Sequence, residues 1–419
     1  MTAAELIERG IAAGQANQFH QAEEFLRAAI VLDPNHPFAY LNLAVALQAQ
    51  LKLNDALAAI RRSIELAPNE SNPQQARGRV LMSLNRVPEA IEAYRRALQL
   101  APDDPETHGL LARALLVSGD FKRGWAEYEW RWKCPSFHEV PRHFSQPRWN
   151  GSRADEKTIL LYHEQGYGDT IQFIRFAPLV ADRCGGVIVQ VPPDMMGLVR
   201  RMPGIDQVVP LGGELPPFDL HAALMSLPLL LNTTLKTIPA KTPYLLGSGP
   251  AAEMWKTRMQ GDGAKFRVGL TWSGRPSHPN DPQRSIALSH LAPLGEVEGV
   301  VFYSLQKNDP NHEAANPPAP LRLVDCGSKL KDFSDSAALI HNLDLVISVD
   351  TAVAHLAGAM RKPVWTFLPF AADFRWLLDR SDTPWYPTMT LLRQKQPSVW
   401  ADVVRETVER LRQCVSPDR

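Results

Sequence analysis

At 419 residues the chain has room for two or three domains, each large enough for its own core. Its 45% apolar and 21% charged residues are those of an ordinary soluble protein, and 45 basic residues balance 45 acidic ones. That neutrality argues against a nucleic-acid or anionic-membrane partner. The start MTAAELIERG lacks a charged head followed by an apolar core, so no signal peptide is expected. LHAALMSLPLLL (220–231) is the nearest approach to a membrane span and is too short, so no integral membrane contact is expected. Cys134, Cys184, Cys326 and Cys414 are far apart, with neither metal-ligand nor disulfide spacing. That fits a reducing compartment and predicts a cytoplasmic protein.

The first third is periodic. Pro34, Pro68 and Pro102 are spaced by 34 residues, as are Ala22, Ala56 and Ala90, and Gly10, Ala44 and Gly78. Small residues at such spacing let paired helices touch, and a proline closes each unit. A fourth unit follows with Ala112, Gly124 and Tyr128, then departs into EWRWKCPSF. Residues 3–135 thus resemble tetratricopeptide repeats. The resemblance implies an α-helical solenoid over 1–136, whose curved surface commonly holds peptides.

Residues 137–160 are a crossing segment rich in Pro, Trp and Arg. Beyond it the pattern alternates: strand TILLYH, Gly-rich turn QGYGD, helix TIQFIRFAPLVADR, strand GVIVQV, helix, strand DQVVPL. This reads as one Rossmann-like half over 137–250. In the turn, glycines allow close backbone approach and Asp169 is expected at the N-cap of the following helix.

A second half over 251–419 begins with FRVGLTWSG (266–274), with the linker near Leu246–Glu253. It continues through VVFYSLQ (300–306) and LRLVDC (321–326) to LDLVISVDTAVAHLAGAMRKPVWTFLP (343–369). LVISV is a β-branched run of the buried parallel type. Asp350 and Thr351 stop it, and both are N-cap types. Small residues then open a helix, so a ligand can approach free N–H groups. A helix start at the carboxyl end of a parallel strand is a phosphate site, and His355, one turn along, can add a donor. Ser273-Gly274 follows one strand, Arg284 precedes a helix, and Gln306 and Lys307 sit at another strand end. A terminal amphipathic helix spans about Val399–Cys414, a strap across this half or back to the other.

DTAVAHLAGA followed by a Pro-Val strand resembles the D-[ST]-x-x-x-H-[LI]-A-x-A signature of heptosyltransferase-like glycosyltransferases of family 9. It is more distantly similar to the nucleotide-binding segment of O-linked N-acetylglucosamine transferases. Gly168, Asp169 and Pro178 are similar to the G-D-x-x-x-x-x-P segment of the same family, with wider spacing to the proline. The resemblance implies an α/β GT-B unit of two Rossmann-like lobes, an acceptor lobe and a nucleotide-sugar lobe. It implies that Asp350, Thr351, Ala352 and His355 line the donor nucleotide site, with Ser273, Gly274, Arg284, Gln306 and Lys307 as further phosphate and base contacts. Pro369, Phe370 and Asp373 would reach the donor sugar. Asp169 would be the catalytic base, with Glu164, Gln165, Gly166 and Gly168 on the acceptor side.

An inverting transfer needs a group that takes the acceptor proton, and a leaving group whose charge is neutralised. No Asp-x-Asp triplet occurs in the sequence, so no metal or other cofactor is expected beyond the nucleotide-sugar co-substrate. Repeats before a GT-B unit are the order found in O-linked N-acetylglucosamine transferases and bacterial flagellin glycosyltransferases. The expected function is therefore metal-independent transfer of a sugar to a hydroxyl, on a protein held by the repeats. The alternatives are a heptosyltransferase acting on lipopolysaccharide core, and a repeat scaffold with a degenerate transferase unit.

Overall fold

The computed structural model describes residues 1–135, 137, 142, 144–278, 280–307, 309 and 312–416. Much of the crossing segment expected over 137–160 is described, but 138–141 and 143 lie outside the described residues. The chain divides into two compact units, Met1–His138 with Ala371–Leu378, and Glu139–Phe370 with Asp379–Arg419.

Among the described residues, eight α-helices build the first unit: α1 (Ala3–Gln15), α2 (Phe19–Leu32), α3 (Pro37–Ala49), α4 (Leu53–Leu66), α5 (Ser71–Ser83), α6 (Val87–Leu100), α7 (Pro105–Val117) and α8 (Phe121–Tyr128). They pack in sequence order as four antiparallel pairs, the tetratricopeptide plan. The periodic residues explain the pairing. Ala22, Ala56 and Ala90 are fully buried between helices. A Cβ on Gly10 would stand 2.6 Å from Leu26 Cγ, and one on Gly78 would enter the Tyr94 ring. The periodic prolines follow the ends of α2, α4 and α6, where no further N–H is needed. The short segment Ala371–Leu378 belongs to this unit. Its Phe374 is buried, with its ring 5.7 Å from that of Trp125 and 6.2 Å from that of Tyr128.

The second unit holds two parallel sheets. Strands β1 (Ala154–Tyr162), β2 (Cys184–Val191), β3 (Gln207–Pro210) and β4 (Leu220–Ala223) form the first, in the order β3-β2-β1-β4. Strands β5 (Phe266–Thr271), β6 (Val300–Ser304), β7 (Leu323–Val324), β8 (Leu345–Val349), β9 (Val364–Leu368) and β10 (Met389–Arg393) form the second, in the order β10-β9-β8-β5-β6-β7. In each sheet the chain winds outward one way and then returns on the other side of its first strand. The reversal falls between β1 and β4 and between β5 and β8. Ligands of doubly wound sheets bind at the carboxyl end of such a switch point.

LHAALMSLPLLL divides into β4, its first four residues, followed by a 3-10 turn and a short helix. Other expectations are corrected. TIQFIRFAPLVADR is not one helix. Helix Tyr167–Phe173 passes through a 3-10 turn, Ile174–Phe176, into helix Ala177–Ala181, whose second residue is Pro178. The proline has no N–H to continue the first helix. Strand β10 is not among the expected elements. The terminal helix, Ala401–Val415, buries Val403, Val404, Val408 and Leu411 in the core of the six-stranded sheet, with Val268, Phe302 and Ile347. Among the described residues no helix is long and apolar enough to cross a membrane.

Candidate active site

The helix Ala352–Ala359 starts directly beyond β8, at the switch point. Thr351 is its N-cap, with extended backbone (φ −142°, ψ 172°). The Thr351 side chain does not cap the helix; its Oγ1 lies 3.1 Å from Ser348 Oγ. The first-turn N–H groups are therefore not consumed by the cap side chain. Asp350, Thr351 and Ala352 are half-buried, so this start is reachable.

On the β5 side, Arg284 donates through Nη1 to the Asp350 carbonyl at 3.1 Å and through Nε to Asp281 at 3.3 Å. Ser285 Oγ accepts from the Gly274 N–H at 2.9 Å and donates to Asp281 at 3.0 Å. A Cβ on Gly274 would collide with Asp281 and lie 2.6 Å from Arg284 Nη2, so the glycine lets the guanidinium reach Asp350. Gln306 is buried and closes the end of β5. Its Oε1 accepts from the Trp272 and Ser273 N–H groups at 3.3 and 3.2 Å, and its Nε2 donates to the Ser273 carbonyl at 3.2 Å. Lys307 is exposed; it donates to the Lys331 carbonyl at 2.5 Å and pairs with Asp194 at 3.7 Å. Phe370 donates its N–H to Gln394 Oε1 at 3.1 Å, and Pro369 beside it is buried. Asp373 falls in the helical unit, where its carboxylate accepts from Arg375 Nη1 at 2.6 Å.

The glycine turn after β1 differs from its expected form. Gly166, not Asp169, is the N-cap, and Gln165 before it adopts φ 64°. Asp169 is the third helical residue, and its carboxylate accepts the Gly166 N–H at 2.8 Å. Glu164 is buried, and its Oε1 accepts the Met225 N–H at 3.1 Å, tying the ends of β1 and β4 together. His163 Nδ1 meets Thr170 Oγ1 at 2.5 Å. Burial, with help from the Arg142 charge, pushes the His163 pKa down to about 4.

The two turns converge. A Cβ on Gly168 would lie 3.0 Å from His355 Cδ2, 3.6 Å from His355 Nε2 and 3.7 Å from Ala352 Cα. Only a glycine lets the helix of the first sheet approach the helix of the second so closely. The GYGDT turn and the DTAVAH helix start, distant in sequence, thus lie side by side.

A buried polar cluster lies behind His355; of its members, Trp385 and Tyr386 fall in 367–394, a stretch the sequence marks by its aromatic residues, while Arg175, Tyr244 and Gln172 carry no such mark. His355 Nδ1 lies 2.8 Å from Tyr386 Oη. Arg175 donates to the Trp385 carbonyl at 2.6 Å, to Tyr244 Oη at 2.8 Å and to the Gln172 carbonyl at 2.8 Å. Its guanidinium also stands over the Tyr386 ring at 4.5 Å. Burial raises the pKa of both phenols.

Residues 300–368 match glycosyltransferase family 9 (heptosyltransferase), and residues 7–71 and 78–119 match tetratricopeptide repeats. In chain order, segments similar to tetratricopeptide repeats are thus followed by one similar to family 9 glycosyltransferases. The family 9 match contains Gln306, Lys307 and the whole of Asp350–His355. Protein FlbA of Caulobacter vibrioides is 27% identical over 436 residues, covering 95% of this chain and 71% of that protein. The Arabidopsis OM64 TPR domain is 25% identical, covering 27% of this chain and 93% of its own, with a TM-score of 0.27. A thermophilic TPR protein of Thermus thermophilus is 21% identical, covering 31% and 72%, with a TM-score of 0.29. These matches support a glycosyltransferase domain preceded by repeats.

Proposed function

We propose that this chain is a glycosyltransferase of the GT-B plan that transfers a sugar, with inversion, from a nucleotide-sugar to an acceptor hydroxyl. The donor diphosphate docks at the start of helix Ala352–Ala359, where N–H groups and the positive end of the helix dipole face the anion. Arg284, beside Asp350, adds positive charge for the leaving group, which makes a divalent metal dispensable. The donor sugar extends toward Pro369 and Phe370. Asp169 takes the proton of the acceptor hydroxyl as its oxygen attacks the anomeric carbon.

The observation that supports this reading is the close approach of Gly168 to His355, where an added Cβ would stand 3.0 Å from His355 Cδ2; it sets the carboxylate-bearing turn against the start of helix Ala352–Ala359. The repeats support a protein or peptide acceptor, because stacked helix pairs offer an extended curved surface. Four free thiols suit a cytoplasmic setting.

A thermal-shift panel of nucleotides and nucleotide-sugars on the full chain tests the proposal. A ligand at 100 times its Kd stabilises the native state by about 2.7 kcal/mol, which raises the melting point by several degrees. At least one nucleoside diphosphate and its sugar conjugate should do so. If no nucleotide shifts the melting point at millimolar concentration, the donor-site reading fails.

A further inference from the structure

His355 Nδ1 faces away from the glycine turn, toward Tyr386, while its Cδ2–Nε2 edge faces Gly168. Which ring nitrogen carries the proton decides whether that second edge donates or accepts. The tautomer is set by the partner of the other nitrogen. We propose that Tyr386 is a positioning residue: its hydroxyl donates to His355 Nδ1, which fixes the proton on Nε2 and turns that edge of the ring into a hydrogen-bond donor at the donor-diphosphate site.

Two neighbours compete for the Tyr386 proton, His355 Nδ1 and Tyr244 Oη, and the second is the poorer acceptor. Tyr244 O–H donates to the Ile171 carbonyl at 2.8 Å, and its oxygen accepts from Arg175 Nη2 at 2.8 Å. Arg175 has donors only. An imidazole nitrogen is a stronger acceptor than a phenol oxygen that is already engaged. Arg175 in turn is clamped by the Gln172 and Trp385 carbonyls, so the base of the cluster is rigid. Its cation, over the Tyr386 ring at 4.5 Å, makes that phenol a better donor. The cluster draws on the helix after β1, the segment before the second sheet and the segment after β9. A ring fixed at Nδ1 cannot swing away from Gly168, and this preorganises Nε2.

The proposal rests on the reading that the diphosphate binds at Thr351–His355, and the test separates the two. Nitrogen-15 histidine NMR of the full chain reports the tautomer without any ligand. Comparison with His355→Gln assigns the signal among the 12 histidines. The expected result is a pyridine-type Nδ1 and a pyrrole-type Nε2. Tyr386→Phe, which keeps the ring and removes the hydroxyl, should shift His355 toward the other tautomer and weaken binding of the nucleoside diphosphate about 10-fold. Tyr244→Phe should leave the tautomer unchanged, because that hydroxyl gives its proton to Ile171. A wild-type ring protonated at Nδ1 overturns the proposal. So does a Tyr386→Phe variant with an unchanged tautomer, or a Tyr244→Phe variant with an equal shift. The expected tautomer together with no nucleotide binding in the wild type supports the Tyr386 assignment and removes the donor-site reading instead.

Discussion

Asp169→Asn separates capping from catalysis. In the native turn the Asp169 carboxylate accepts the Gly166 N–H at 2.8 Å, and Asn Oδ1 can accept the same bond. What the change removes is a negative charge in the first helical turn, worth about 0.3–1 kcal/mol there. Urea unfolding should therefore show a loss of no more than about 1 kcal/mol. Donor affinity should be unchanged, since Thr351 and His355 are untouched. Transfer should fall about 10²–10⁴-fold, the usual cost of losing a general base. The assay is transfer to the true acceptor at saturating donor. Asp169→Ala serves as the counterpart: it also loses the Gly166 bond, so it should lose about 1 kcal/mol more stability but be no slower than the Asn variant. An Asn variant within about threefold of the wild-type rate, beside a slow Ala variant, would show that the side chain only holds the turn. Glu164 would not be an easy replacement, because its carboxylate is buried and engaged by the Met225 N–H.

Gly168→Ala should weaken nucleotide binding several-fold with little change in stability. The helix gains about 1 kcal/mol from alanine, but the new methyl presses the His355 ring, which its 2.8 Å contact with Tyr386 holds in place; calorimetry and urea melts read the two effects. Acid should weaken the same turn. His163 is held neutral by burial with a pKa of about 4, against 6.5 unfolded, so the unfolded state binds the extra proton first. Its contribution is full above pH 6.5 and is lost as pH falls toward 4, amounting to about 2 kcal/mol by pH 5. His163→Gln should flatten that slope in urea melts at pH 7 and pH 5. Phe374→Ala should destabilise the protein by about 3 kcal/mol, because its buried ring fills the space beside Trp125 and Tyr128. Deleting residues 1–135 strips the same ring of its cover, so the truncated chain should melt lower than the full one.

What the sequence makes legible is what local physics encodes. The repeats show because a helix pair needs small residues at fixed positions, and Gly10, Ala44 and Gly78 each meet the same need. The helix Ala352–Ala359 shows because a β-branched run, a pair of N-cap residue types and a small-residue turn follow without interruption from Leu345 to Ala359. Strand β4 is hidden because its four residues pass into a 3-10 turn of Leu, Met and Ser and then a short helix, within one apolar run. Asp169 is displaced from the cap because Gly166 can take the extended cap conformation itself, and the aspartate side chain then reaches back. Arg175's place in the cluster behind His355 is invisible in the sequence, because its partners lie 69 and 210 residues away and no periodicity relates them. Only the fold, which brings the two sheets together, makes that arginine part of the site.

The most direct test of the account is calorimetric titration of the full chain with the nucleoside diphosphate that the thermal panel selects, with and without a chelator. The account predicts one site per chain and the same Kd in both conditions, because helix N–H groups and Arg284 hold the diphosphate. Binding that disappears with the chelator would contradict metal-free docking at Asp350–His355. No heat with any nucleoside diphosphate would contradict the donor site itself.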